Sequence, residues 1–257
     1  MTAFELMKEL GVRPNFPEPS DLDSCKAGDP NITVEKVAVC CIASPEIIRQ
    51  AADWGAHLLI THEPTFHDHF DHMDWSDPVV QKKNELIEKT GLTIWRFHDC
   101  PHSEPDLIQT GLIETMGWNG VYDGKLRFEL ESPSTPRILA QDIEKKLSLG
   151  HVRIVGNPDA PCKSIALCVG AWALSPVLRD SSFDLILSGE LCEWKDAEYI
   201  RDAAQLGMNK SMLILGHMGS ERDGMRLWAN QVASQYPSLS VKYFDCGEVY
   251  TYAEIRK

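Results

Sequence analysis

At 257 residues, 43% hydrophobic and 25% charged, the chain is long enough to bury a core and leaves one or two domains open. A formal net charge of -13 argues against an electrostatic grip on phosphate backbones, which needs clustered Lys and Arg, while small nucleotides held through a metal stay open. No apolar run approaches the roughly 18 residues of a membrane span, and Glu5, Lys8 and Glu9 break any signal-peptide core, so a cytoplasmic protein is expected.

In chain order, residues 37–43 are nearly continuous apolar sequence, a strand, and Ser44-Pro45 supplies an N-cap with proline at the first helical position. A helix over 46–54 stops near Gly55, a strand follows at 57–61, and after a polar loop a helix runs over 79–89. Gly91 ends that helix and 92–97 is again strand-like. This βαβ alternation predicts a largely parallel sheet covered by helices. A helix over 105–116 leads to the Gly-, Pro- and Ser-rich stretch 119–136, which holds one short alternating run at 125–130 and is read as the lobe boundary. The second half repeats the grammar, with helices at 137–147, 195–206 and 222–235 and strands at 152–155, 164–169, 183–187 and 212–215. Alternating runs at 240–244 and 248–252 close the chain. The expected fold is an α/β, two-lobed, three-layer α/β/α subunit with mostly parallel mixed sheets, its lobes at 1–120 and 121–257, with the last strands free to return to the first lobe.

The eight cysteines form no CxxC pair and read as reduced thiols, with Cys40, Cys41 and Cys168, inside apolar runs, as small buried hydrophobes. Cys100, beside His98 and His102, carries a secondary reading as an auxiliary ligand or redox group. Three apolar runs end on histidine: Leu58-Leu59-Ile60-Thr61-His62-Glu63, Leu92-Thr93-Ile94-Trp95-Arg96-Phe97-His98 with His102 following, and Leu213-Ile214-Leu215-Gly216-His217 with Glu221 four residues on. In open α/β sheets ligands bind outside the carboxyl ends of strands. Any one such histidine would be an ordinary hydrogen-bonded side chain. Three of them, each with a second donor nearby, predict a metal site built from His62, Glu63, His98, His102, His217 and Glu221. These imidazoles and carboxylates suit Zn, Mn, Fe, Co or Ni. Six donors exceed what one four-coordinate ion needs and would serve two divalent ions about 3.5–4 Å apart. Glu221 follows Gly219 and Ser220 at an expected helix start, where the macrodipole favours an ionised carboxylate. Residues 67–74, with three of the nine histidines, read as a solvated flap, and His57 and His151 as structural. Glu190, in Ser188-Gly189-Glu190, is a candidate general base or a partner that holds a ligand histidine; a plain helix-start carboxylate is the alternative. No nucleophile elbow, P-loop or dinucleotide glycine pattern is present.

With these residues assembled, the chain resembles the NIF-three-like dinuclear-metal family, also called type-two GTP cyclohydrolase-like. The resemblance runs in order from Ser44-Pro45-Glu46-Ile47-Ile48 through Gly55-Ala56-His57-Leu58-Leu59-Ile60-Thr61-His62-Glu63-Pro64, the stretch 98–102, 152–156, Ser188-Gly189-Glu190, and Gly216-His217-Met218-Gly219-Ser220-Glu221. It implies a toroidal homo-hexamer of two-lobed subunits with paired metals facing an inner cavity; a long middle insert of some members is missing. Two departures fall on ligands: His62-Glu63 stands where the family has paired histidines, and His98-x-x-x-His102 where it has His-x-x-x-Asp. If both positions face the same metal, donor count and formal ligand charge are conserved. A third departure is Gly170-Ala171-Trp172-Ala173, where the family is glycine-richer and Trp172 would narrow or line the cavity. Two functions follow as expectations: a metal-dependent hydrolase acting on a small substrate such as a nucleotide, phosphoester or cyclic amidine, with Glu190 as proton shuttle; or a non-catalytic metal-binding hexamer serving as scaffold or regulator.

Overall fold

The structure, a computed structural model, describes residues 1–253, so positions 254–257 at the end of the expected second lobe lie outside the described residues. In chain order the elements are α1 (Ala3–Leu10), β1 (Cys25–Ala27), β2 (Lys36–Cys40), α2 (Pro45–Asp53), β3 (Leu58–Thr61), α3 (Pro78–Thr90), β4 (Thr93–Arg96), α4 (Asp99–His102), α5 (Leu107–Met116), β5 (Gly120–Tyr122), β6 (Arg127–Ser134), α6 (Pro136–Leu147), β7 (Arg153–Val155), β8 (Cys162–Cys168), α7 (Ser175–Arg179), β9 (Leu185–Ser188), α8 (Glu198–Gln205), β10 (Ser211–Ile214), α9 (His217–Gln235) and β11 (Ser240–Tyr243). The chain divides into two compact units, Met1–Leu107 with Gly224–Cys246, and Ile108–Asp223 with the residues from Gly247 on.

The first unit holds a five-stranded sheet in the order β1-β4-β3-β2-β11. β2, β3, β4 and β11 run parallel, and β1 closes the edge antiparallel to β4. All four residues of both β3 and β4 are buried, as expected of parallel strands covered on both faces. Ala38, Cys40, Leu59 and Ile94 pack with Ile47, Ile48 and Ala51 of α2 and Val80 and Ile87 of α3 into one core. Local chemistry sets the helix starts: the Ser44 hydroxyl accepts from Ile47 N, the Asp77 carboxylate from Val79 N, and proline follows each cap. α1 is an element beyond those expected from the sequence, and a capping box between Thr2 and Glu5 closes its start.

The second unit holds a six-stranded sheet in the order β5-β6-β8-β9-β10-β7. Its centre, β8-β9-β10, is parallel, and β5, β6 and β7 pair antiparallel around it. The fold class is therefore α/β with mixed sheets and helices packing on both sides. Residues 119–136 form β5, β6 and their connection within this sheet. The run 240–244 supplies β11, but 248–252 forms no strand: the Glu248 carboxylate instead accepts from Gly150 N and the Tyr252 hydroxyl. The expected helix over 195–206 opens as a π-helical turn, Glu193–Ala197, which passes into α8. The last helix begins at His217 rather than at 222, five residues early, because Gly219 and Ser220 sit inside it. Among the described residues no helix is long and apolar enough to cross a membrane.

Candidate metal centre

Four of the predicted donors come together in the first unit. β3 ends at Thr61 and delivers His62 and Glu63; β4 ends at Arg96 and delivers His98, with His102 one turn on in α4. His62, His98 and His102 each offer a ring nitrogen within 4.8 Å of the others. His62 Nε2 lies 3.2 Å from His102 Nε2, and the Glu63 carboxylate stands 4.0 Å from His62 Nε2 and 3.9 Å from His98 Nε2. Thus Glu63 and His102, the two positions that depart from the family pattern, both lie beside the His62 ring.

The remote nitrogen of each ring explains this packing. His62 Nδ1 lies 3.0 Å from the Phe97 carbonyl, His98 Nδ1 2.8 Å from an Asp99 carboxylate oxygen, and His102 Nδ1 3.0 Å from Asp106. A carbonyl or carboxylate oxygen only accepts, so each Nδ1 carries its proton and each Nε2 is left with a lone pair in the neutral ring. Second partners of this kind hold ligand histidines in place and raise their basicity. His62 is completely buried, and burial together with its neighbouring histidines pushes its pKa well below the ordinary imidazole range. It therefore stays neutral, and its Nε2 lies 3.2 Å from His102 Nε2, a spacing suited to a shared proton or to one cation held by both nitrogens. The Asp99 carboxyl is held down to about 2, first by its hydrogen bond with His98, so it is ionised.

In the second unit β10 leads through Gly216 to His217 at the head of α9. Glu221 is not at the helix start, as expected from the sequence, but one turn in, on the same face as His217 (i, i+4). Its Oε2 lies 3.1 Å from His217 Nε2, and the Glu190 carboxylate lies 2.6 Å from His217 Nδ1. Glu190, two residues past the end of β9, thus engages the His217 ring through Nδ1. Bracketed by two carboxylates, the His217 ring is served by a proton or a metal at Nε2. Ser220 joins this corner to the end of β8, since its hydroxyl accepts from Gly170 N and donates to the His217 carbonyl. Gly170, at φ +63°, leaves no room for a side chain: a Cβ there would lie 2.0 Å from Glu221 Oε1 and 3.1 Å from His217 Nε2. Gly219 is tolerated in the helix because a Cβ would press on Leu149 at 3.1 Å.

Other predicted residues fall outside these sets. Cys100 is buried, and burial raises its thiol to about 12, so it stays protonated and does not join the three histidines. Cys40, Cys41 and Cys168 are buried. His57 Nδ1 accepts from the amides of Glu35 and Lys36, and His151 packs edge-on against Tyr252. Trp172 is 39% exposed. The 67–74 segment is tied down, not simply solvated: Asp71 accepts from Phe66 N, and the fully buried Arg96 donates from Nε to the His62 carbonyl and from a terminal nitrogen to the His69 carbonyl. That brings the His69 ring to 6.2 Å from the His98 ring.

Sequence reasoning missed Asp99, Asp106, Arg96 and Gly170. Asp99 is adjacent to His98 and Asp106 four residues from His102, spacings that could have exposed both. Arg96 carried no local signal, and Gly170 enters the sequence reading only as part of the 170–173 departure.

Fold and site together define an α/β protein in which histidines and a glutamate converge at the carboxyl ends of parallel strands into a cluster able to hold a metal ion. Residues 20–247 match the Duf34/NIF3 (NGG1p interacting factor 3) family, and the chain belongs to it. Among its relatives is a GTP cyclohydrolase 1 type 2 homolog of Clostridium perfringens (strain 13 / Type A), 22% identical over 219 residues, which cover 80% of this chain and 81% of that protein. The same fold occurs in Staphylococcus aureus protein SA1388, with TM-score 0.76, 16% identity and 99% of each chain covered. A Bacillus cereus protein related to NIF3 aligns with TM-score 0.73 and 12% identity over 98% of each chain.

Proposed function

We propose that this protein binds two divalent metal ions, drawn from Zn, Mn, Fe, Co or Ni, through His62, Glu63, His98 and His102 of one unit and His217 and Glu221 of the other, and hydrolyses a small substrate. One observation carries the reading: in all four histidines Nδ1 lies against a fixed oxygen acceptor, leaving Nε2 as a donor. The donor set fits such ions, since neutral imidazole and carboxylate suit borderline divalent metals and no thiolate is among the proposed ligands. When bound, such ions supply Lewis acidity and lower the pKa of water. The chain's own contribution is to hold His62 neutral by burial, to orient His98 and His102 through Asp99 and Asp106, and to hold the proton on His217 Nδ1 through Glu190. A nucleotide, phosphoester or cyclic amidine is the substrate class, in line with the name of the Clostridium relative. The family resemblance supports a homo-hexamer, which sedimentation of the purified protein would test.

The non-catalytic alternative gains from Glu190, whose carboxylate is engaged by His217 instead of being free to shuttle a proton. Elemental analysis of protein purified without chelator, beside His62→Ala, tests the metal assignment; absence of stoichiometric metal from the wild-type protein overturns it. A metal-loaded protein that turns over no nucleotide, phosphoester or cyclic amide would move the reading to the scaffold.

A further inference from the structure

The turn that carries His98 and His102 is gripped at both ends by charged side chains from the amino-terminal segment. At its amide end, Asp23 Oδ1 accepts from His98 N at 2.5 Å and Asp99 N at 2.9 Å, and Oδ2 accepts from Cys100 N at 2.8 Å. At its carbonyl end, Arg13 Nη1 reaches the carbonyls of Cys100, Pro101 and Ser103 at 3.3, 3.4 and 3.0 Å, and Nη2 that of Pro105 at 2.6 Å. The four residues of α4 are too few to fix their own ends, and successive amides pointing one way attract an anion as successive carbonyls attract a cation. Asp23 is only 3% exposed, so its carboxylate is committed to this contact.

The delivery of both groups is built into the fold. Asp23 lies in the turn before β1, where its amide reaches the Ser20 carbonyl and Arg96 N donates to the Ser24 carbonyl, so β1 and β4 present Asp23 where the chain leaves the sheet toward His98. Arg13 is fixed by mutual backbone hydrogen bonds with Phe16, and Asn15 adds a side-chain bond to the Glu104 carbonyl. Arg13 precedes the residues that match the family.

We infer that Asp23 and Arg13 are positioning residues: an anion and a cation that together preset the 98–103 turn so that His98 and His102 face His62 before any metal arrives. The inference rests on the metal-binding reading. Without either charge the turn would have to be ordered by the ion itself, which lowers affinity and loosens coordination geometry.

The test is a titration of chelator-stripped full-length protein with Zn²⁺ against a chromophoric chelator, at a temperature well below unfolding. Asp23→Ala, Asp23→Asn, Arg13→Ala and the double variant Asp23→Asn/Arg13→Ala are compared with Thr2→Ala, which removes the α1 cap in the same unit. Zn²⁺ affinity should fall about 10–100-fold in the Asp23 and Arg13 variants, as for partners of ligand histidines elsewhere, and remain at the wild-type value in Thr2→Ala. The double variant should lose less than the product of the single losses, since both hold one turn. The visible spectrum of Co²⁺-loaded protein should change in the Asp23 and Arg13 variants alone. Should Asp23→Ala not fold, Asp23→Asn, which keeps the shape, decides. Folded variants that bind Zn²⁺ within threefold of wild type, with an unchanged Co²⁺ spectrum, overturn the inference while leaving the metal site intact. A wild-type protein that binds no Zn²⁺ or Co²⁺ removes the reading beneath it as well.

Discussion

Replacing Gly170 by alanine separates backbone strain from damage to the site. The residue sits at φ +63°, where an L side chain costs about 1–2 kcal/mol. The added Cβ would also fall 2.0 Å from Glu221 Oε1 and 2.9 Å from its carboxyl carbon, far inside contact distance, so the carboxylate must rotate away from His217 Nε2, now 3.1 Å from its Oε2. Gly207 in the same unit is the matched control, with φ +84° and nothing within 4 Å of where a Cβ would stand. Both Gly170→Ala and Gly207→Ala should therefore lose stability of the same order, about 1–2 kcal/mol, in urea denaturation. Only Gly170→Ala should also lose Zn²⁺ affinity, by about tenfold or more in chelator competition, because only it displaces a proposed ligand. Equal Zn²⁺ affinity in the two variants and the wild type would refute the role assigned to the Glu221 and His217 pair.

Exchanging the departing ligands, Glu63→His with His102→Asp, should keep metal stoichiometry by elemental analysis while each single change lowers it, because both side chains lie beside His62; a double variant no better than the singles would sever that coupling. Asp106→Asn should weaken Zn²⁺ binding about 10–100-fold in competition titrations by loosening the His102 ring. Burial lowers the Lys83 ammonium from the ordinary 10.5 to about 8 in the folded protein, where its Nζ donates to the Thr65 carbonyl. Between those values the unfolded state binds more protons, so this group makes stability rise with pH, by up to about 2 kcal/mol from about pH 8 to 9.5. The buried thiols of Cys40, Cys100, Cys162 and Cys168 and the Tyr243 hydroxyl, all raised by burial, act in the opposite sense as pH passes the ordinary thiol value near 9 and the tyrosine value near 10. Lys83→Met should make the slope of stability against pH, measured by urea unfolding over about pH 7–9.5, more negative than in the wild type, and an unchanged slope would show that Lys83 contributes nothing to it.

The elements that position the site were legible where local and long-range preferences agree. β3 and β4 are apolar runs buried on both faces, and α2 and α3 begin at Ser44-Pro45 and Asp77-Pro78 caps that act within one turn. The head of α9 escapes a sequence reading because Gly219 and Ser220 are poor helix formers in isolation; Leu149 and Gly170 settle them by packing and hydrogen bonding from distant sequence. The strand expected at 248–252 failed for a similar reason, since the Glu248 side chain is drawn to Gly150.

Residue types and strand ends alone determined that this chain carries imidazole and carboxylate donors at the carboxyl ends of strands, because an apolar run followed by histidine is a local pattern. Only the tertiary structure decided how those donors are held. The oxygen acceptor behind each Nδ1, the space left by Gly170 beside Glu221, and the grip of Asp23 and Arg13 on one short turn join residues up to 92 positions apart. Hydrogen-bond direction and steric fit are properties of folded geometry, and spacing along the chain does not encode them.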